Sequence, residues 1–168
     1  MLFECFVYQK HIDLHAISAL EAIRGFMKVE QCRFLRRYVH WIVDADSGLS
    51  SDAFFSMITD NSYYLLNPNK EGFKTTLSSK SEKSDQTSSS VFVDVFPKIA
   101  CDYHDLKDKL NNVCDSQIKS IDKRITWQCD IDISQDAQAF VLNFLLPGKS
   151  HSGILANPVY ESFSFIAN

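Results

Sequence analysis

Apolar residues recur along this chain with strand and helix periods, and the series runs twice. Leu2 to Gln9, rich in Phe, Val and Tyr, predicts a strand. Asp13 then stands as an N-cap ahead of Leu14, Ile17, Leu20, Ile23 and Met27, which follow at helical spacing. Arg33 to Asp44 reads as a long strand with Leu35, Val39, Trp41 and Val43 on one face. Ser51 to Thr59 suits a short helix with Phe54, Met57 and Ile58 inward, and Phe73 to Leu77 a closing strand. The second series starts with a strand at Val91 to Pro97 and a helix capped by Asp102 that carries Tyr103, Leu106, Leu110 and Val113. It continues with a long strand from Lys123 to Ile133 and a helix from Ser134 to Leu146 carrying Ala137, Phe140, Val141 and Phe144. A strand from Val159 to Ile166 closes it. The order is β-α-β-α-β, twice.

Self-comparison supports the doubling. Leu65-Leu66-Asn67-Pro68, followed by Glu71 and Phe73, matches Leu155-Ala156-Asn157-Pro158, followed by Glu161 and Phe163, at an offset of 90 residues. The same offset lays Glu4 and Phe6 on Asp94 and Phe96, and Leu35, Val39, Trp41 and Val43 on Ile125, Cys129, Ile131 and Ile133. Between the halves, residues 78–90 contain no apolar side chain and read as a flexible, solvated serine-rich linker. The expected organisation is repeat 1 over 1–77, the linker over 78–90 and repeat 2 over 91–168. A unit this small has little core to spare for an open sheet face. The expectation is therefore an α+β fold in two layers, sheet and helix, with the tandem repeats packed as a pseudo-twofold dimer.

Composition narrows the class. Across 168 residues, 45% are apolar and 23% charged, so a core can form. No apolar run is long enough for a membrane-spanning helix, and Met1 to Lys10 lacks the marks of a signal peptide. A net charge of -4 speaks against nucleic-acid or anionic-membrane partners. Together these give the expectation of a cytoplasmic protein. Cys5, Cys32, Cys101, Cys114 and Cys129 are odd in number and form no CxxC pair, which reads as free, structural thiols. The five histidines (His11, His15, His40, His104 and His151) assemble no HExxH or Cys/His ligand set, so no metal site is expected. The glycines form neither GxGxxG nor a P-loop, and no serine sits in GxSxG. Asp130 and Asp132 share a strand face, which reads either as a carboxylate pair or as a solvated strand end. No catalytic residue is assigned.

One cluster carries binding chemistry. Arg33, Arg36, Arg37 and Tyr38 concentrate guanidinium forks at the start of a long strand, suited to phosphate or carboxylate, or to a salt-bridge patch. Arg36 and Tyr38 share one strand face and Arg33 and Arg37 the other, so one pocket does not use all four.

With its doubled order and the segment Ile154-Leu155-Ala156-Asn157-Pro158-Val159-Tyr160-Glu161-Ser162-Phe163, the chain resembles the PurS subunit of phosphoribosylformylglycinamidine synthase. It also resembles the N-terminal region of the single-chain enzyme, where two such units are fused and the arginine strand corresponds to Arg33-Phe34-Leu35-Arg36-Arg37-Tyr38. Where the family commonly has a glycine-lysine pair, this chain has Leu35-Arg36 and Ile125-Thr126. The resemblance implies a non-catalytic assembly component in purine biosynthesis. Such a component bridges a synthetase and a glutaminase and supports ammonia transfer within an ATP- and glutamine-dependent ligase complex. It further implies no cofactor in this chain, ATP and Mg belonging to the partner synthetase. Arg33, Arg36, Arg37, Tyr38, Asn67, Pro68, Asn157 and Pro158 are its candidate binding or interface residues. Two other readings stand beside it: a sensor of small anionic metabolites facing Arg36 and Tyr38, and an enzyme using Asp130, Asp132 or His40.

Overall fold

Alternation along the first strand sorts its side chains between two environments. In β1 (Leu2–Gln9), Phe3, Cys5 and Val7 are buried on one face, while Leu2 and Glu4 are exposed on the other. The computed structural model describes residues 1–78, 88–114, 116–132, 136–148 and 153–166. Asp13 then caps α1 (Leu14–Glu21) by accepting from the His15 and Ala16 backbone N–H groups at 3.0 and 3.3 Å. A π-helical turn over Ala22–Phe26 follows. Next come β2 (Cys32–Asp46), α2 (Ser51–Asn61), capped by the Ser50 hydroxyl, and β3 (Glu71–Lys74). The second series is β4 (Ser88–Pro97), α3 (His104–Asn111), β5 (Gln117–Asp132), α4 (Ala137–Phe144) and β6 (Glu161–Phe165). The fold is α+β, with one six-stranded antiparallel sheet in the order β3-β1-β2-β5-β4-β6 and, among the described residues, these four α-helices.

Several predicted boundaries move. β4 begins at Ser88, three residues before Val91, because a strand needs only backbone partners at its end: Ser88, Ser89 and Ser90 pair with Asp132, Ile131 and Asp130. The rest of the serine-rich stretch, 79–87, lies outside the described residues, as do Ile133 and Ser134. β3 starts at Glu71 rather than Phe73, since Gln9 already pairs with Glu71. Leu14 and Ile17, expected inward on α1, are 71% and 43% exposed. The buried stripe runs instead through Ala16 and Ile23, flanked by Ala19, Leu20 and Met27. Phe144 is about half exposed, and Leu145 and Leu146 just beyond the helix are the residues that fill the core.

The chain divides into two compact units that do not follow the order of the repeats. The first comprises Met1–Ile12, Val39–Leu77 and Ala100–Arg124. Its core joins Phe3, Cys5 and Val7 of β1, Trp41, Val43 and Ala45 of β2, and Phe54, Phe55 and Ile58 of α2 with Leu110 of α3 and Ile118 of β5. Here β1 pairs antiparallel with β2 from Leu2↔Asp44 to Val7↔Val39, and with β3 from Phe6↔Lys74 to Gln9↔Glu71. The second unit comprises Asp13–Tyr38, Ser78–Ile99 and Ile125–Asn168. Its core joins Ala16 and Ile23, Cys32 and Leu35 of β2, and Val91, Val93 and Val95 of β4 with Trp127, Cys129 and Ile131 of β5 and Val141 of α4. There β4 pairs with β5 from Ser88↔Asp132 to Val95↔Ile125, and with β6 from Val93↔Phe165 to Pro97↔Glu161.

The exchange of α1 and α3 between the cores has a direct test. Residues 1–77 expressed alone lack Leu110 and Ile118, and residues 91–168 alone lack Ala16, Ile23 and Leu35. Each fragment is expected to show no cooperative urea transition by circular dichroism, whereas the two mixed together regain one. Cooperative unfolding of either fragment alone counts against exchanged cores.

Candidate functional site

The predicted binding residues fall into an arginine strand and two Asn-Pro turns, and each is built differently. In β2, the Arg33 guanidinium donates from Nε and Nη2 to one oxygen of Asp132, at 3.0 and 2.6 Å. Arg36 lies with its guanidinium carbon 5.3 Å from the centre of the Phe34 ring. Arg37 is half-buried. Tyr38 is buried, and its hydroxyl donates to Gln128 Oε1 at 2.9 Å. Thus Arg33 and Tyr38 have hydrogen-bond partners and Arg36 a ring partner inside their own unit.

Tyr38 belongs to a polar layer that the alternation on β4 and β5 hides. On the strand face away from Val91, Val93 and Val95 lie Ser90, Phe92 and Asp94, and opposite them Asp130, Gln128 and Thr126 in register. Ser90 Oγ donates to Asp130 Oδ1 at 2.6 Å, and Gln128 Nε2 donates to the same oxygen at 3.2 Å. Thr126 Oγ1 donates to Asp94 Oδ1. Asp94, Thr126, Gln128 and Asp130 are all buried, so Asp130 is no solvated strand end as one sequence reading had it. A carboxylate out of water is tolerable when donors saturate it, and each of these meets a hydroxyl across the ladder. In the other unit, His40 is 2% exposed, stacks on the Phe6 ring at 4.1 Å and has Nε2 3.5 Å from Glu4 Oε2. The one sequence signal for this layer is hydroxyl facing carboxylate at antiparallel spacing, twice; period-two polarity by itself reads as solvent exposure.

The Asn-Pro segments form the same turn in both units. In the first, the Asn67 backbone N–H donates to Glu71 Oε2 at 2.7 Å and the Asn67 side-chain oxygen accepts from the Asn69 N–H at 3.1 Å. Glu71 N–H returns to the Asn67 carbonyl at 2.8 Å, and the Lys10 ammonium donates to the Pro68 carbonyl at 2.6 Å. In the second, Asn157 N–H donates to Glu161 Oε2 at 2.6 Å, Val159 N–H to Asn157 Oδ1 at 2.9 Å and the Lys98 ammonium to Pro158 O at 2.6 Å. Trp41 and Trp127 donate their indole N–H to Leu65 O and Leu155 O, at 3.0 and 3.2 Å. The turns match at 90 positions, but Lys10 matches Lys98 at 88 and Trp41 matches Trp127 at 86. A single gapless offset therefore mispairs the strands, setting Trp41 on Ile131; because the slips are even, every side chain keeps its face.

The candidates are divided between the two units. Asn67 and Pro68 belong to the first unit and the other six to the second. Within the second, Arg33 meets Asp132 at the Ser88 end of the β4–β5 ladder, while Asn157 and Pro158 sit at the Pro97 end, where Pro97 pairs with Glu161. Nine residue steps of strand separate the ends, on the order of 30 Å.

Three of the five thiols are chemically quiet. Burial pushes the Cys32 thiol up to about 11, with the Arg24 charge opposing and Asp130 adding to the rise. Burial likewise holds Cys5 and Cys129 well above the ordinary thiol range. A protonated buried thiol is a poor nucleophile and metal ligand. All five cysteines are free, and among the described residues no group of three or more His, Cys, Asp or Glu is placed to hold a metal ion. No helix there is long and apolar enough to cross a membrane. No protein-family model, curated protein or solved structure matches this chain.

Two measurements follow. Cys101 alone is exposed and the other four cysteines are buried, so Ellman's reagent is expected to titrate one thiol quickly in the native protein and five after unfolding. The Cys32 thiol ionises near 9.0 in an unfolded chain and near 11 when folded, so the unfolded state releases its proton first. Stability from this group is complete below pH about 9 and lost as pH rises toward about 11, and the urea midpoint is expected to fall across that window more steeply than in Cys32→Ala.

Proposed function

We propose that this chain is a non-catalytic, PurS-like assembly component of a purine-biosynthetic amidotransferase. In this reading its two β-α-β-α-β series are tandem repeats paired about a pseudo-twofold axis. It bridges a phosphoribosylformylglycinamidine synthetase and its glutaminase and supports ammonia transfer between them in the cytoplasm. ATP and Mg belong to the partner synthetase. The observation that carries the reading is the twice-built Asn-Pro turn: the segment on which the family resemblance rests makes the same backbone, carboxylate and lysine hydrogen bonds in both units. Such turns fix a backbone rigidly and leave their outer side chains to meet another chain, as an assembly subunit requires. The metabolite-sensor reading draws less support, since the Tyr38 hydroxyl it would use is buried and donates to Gln128.

The test is reconstitution. The purified chain is expected to co-elute with purified synthetase or glutaminase in gel filtration and to raise glutamine-dependent amidine formation by the mixture. With ATP and ammonia but no partner, it is expected to form no amidine. Failure to bind either partner, or turnover by the chain alone, overturns the reading.

A further inference from the structure

The sheet ends in two edge strands, β3 and β6, and what their outer sides offer differs. An edge strand spends alternate backbone groups on its inner neighbour and turns the rest outward. In the second unit, the Tyr160 carbonyl accepts from Lys98 N–H at 2.8 Å and the Ile166 N–H donates to Phe92 O at 3.0 Å, so the even-numbered residues of β6 face β4. Glu161, Phe163 and Phe165 therefore turn their N–H and C=O groups outward. The Glu161 N–H is taken by Asn157 O at 2.8 Å, and no described residue bonds to the outward groups of Phe163 and Phe165. In the first unit, Lys10 N–H on Lys70 O gives β3 the same phase and turns Glu71 and Phe73 outward. The Glu71 N–H is taken by Asn67 O, so within β3 Phe73 alone keeps both groups for a neighbour.

Side chains sharpen the contrast. β3 is guarded: it is four residues long, it ends on Lys74, and Gly72 lies under the Tyr8 ring, whose centre is 5.9 Å from the Lys74 ammonium. β6 reads Glu-Ser-Phe-Ser-Phe, without Lys, Pro or Gly, and its one carboxylate accepts from Asn157 N–H within the turn at 2.6 Å. Phe163 and Phe165 are half-buried at the rim of the second core, and Ser164 is exposed on the opposite face. The strand that completes such an edge is extended and uncharged. It presents backbone groups two residues apart, with apolar side chains on the core side and small polar ones on the other. β6 itself has that pattern.

We propose that β6 pairs antiparallel with β6 of a second copy of this chain, about a twofold axis at Ser164. Phe163 then stands opposite Phe165 of the second copy and Phe165 opposite its Phe163, so that every outward N–H and C=O of both residues finds a partner. The facing phenyl groups extend the apolar layer at the core's rim as cross-strand pairs. The antiparallel sense sets the two Glu161 residues about 20 Å apart, where a parallel pairing sets them side by side. β3, with one such residue, has no comparable ladder to offer. The contact is short, so the dimer it makes is reversible and forms as concentration rises. It is independent of the assembly reading.

Sedimentation velocity of the full-length chain, from about 1 μM to about 1 mM, tests it. Wild-type protein is expected to pass from monomer to dimer across that range. Ser164→Lys sets like charges directly opposite at the axis from an exposed position, and is expected to melt close to wild type and weaken the dimer by about tenfold or more. Register is read by disulfide capture with oxidised glutathione in a Cys101→Ser background. Ser164→Cys is expected to bridge the copies, since opposed residues at a non-hydrogen-bonded position bring their Cα atoms to about 4.5 Å, and Ser162→Cys is not. This pair of variants decides the matter if Ser164→Lys does not fold. Wild-type protein that stays monomeric throughout, or a dimer that folded Ser164→Lys leaves intact, overturns the proposal. Capture through residue 162 in place of 164 overturns the pairing as drawn. A monomer whose binding to purified synthetase or glutaminase is lost in Ser164→Lys overturns the second copy as occupant in favour of a strand of that protein.

Discussion

Two strands that each serve two hydrophobic cores set the terms for the rest of this molecule. β2 and β5 run for 15 and 16 residues, well beyond the five or six that are usual. Cys32 and Leu35 at the start of β2 lie in one core, and Trp41, Val43 and Ala45 toward its end lie in the other. β5 does the same in reverse, with Ile118 in the first unit's core and Trp127, Cys129 and Ile131 in the second's. A helix that follows or precedes such a strand finds its nearest apolar surface in the unit where that half of the strand lies. This is how α1 joins the core of β4 and α3 the core of β1.

A second constraint acts on the other face of the strands. In the second unit the layer beneath the helices is aliphatic and aromatic, while the opposite layer pairs Ser90 with Asp130 and Thr126 with Asp94. Apolar contact is tolerant of small shifts in register, whereas a hydroxyl donating to a carboxylate directly across a ladder is not. The polar layer thereby fixes the register that the apolar layer leaves loose. Tyr38 extends that control to β2 through Gln128.

Much of the local structure was legible in the chain. β1 has the predicted bounds, Asp13 is the predicted cap, and Phe54 and Ile58 face inward as their spacing requires. Patterning specifies that Ile23 and Leu110 are buried but carries no information on which sheet they meet, so the exchanged helices were not legible. Asp94, Thr126 and Gln128 were missed for the same kind of reason: alternating polarity reports a face, not its solvent. Within the candidate site, the Asn-Pro repeat was visible as a motif, yet only the hydrogen bonds of Lys10 and Lys98 show that the strands before the turns match at a shorter offset than the turns themselves.

The exchanged helices also govern when the protein can become a protein. Ile23 leaves the ribosome more than a hundred residues before Val141, one of its neighbours in the second core. At translation rates of about 5–20 residues per second, α1 waits on the order of ten seconds with its apolar stripe unsatisfied. The nascent first half therefore spends that interval with apolar surface that its own chain has not yet supplied the means to cover.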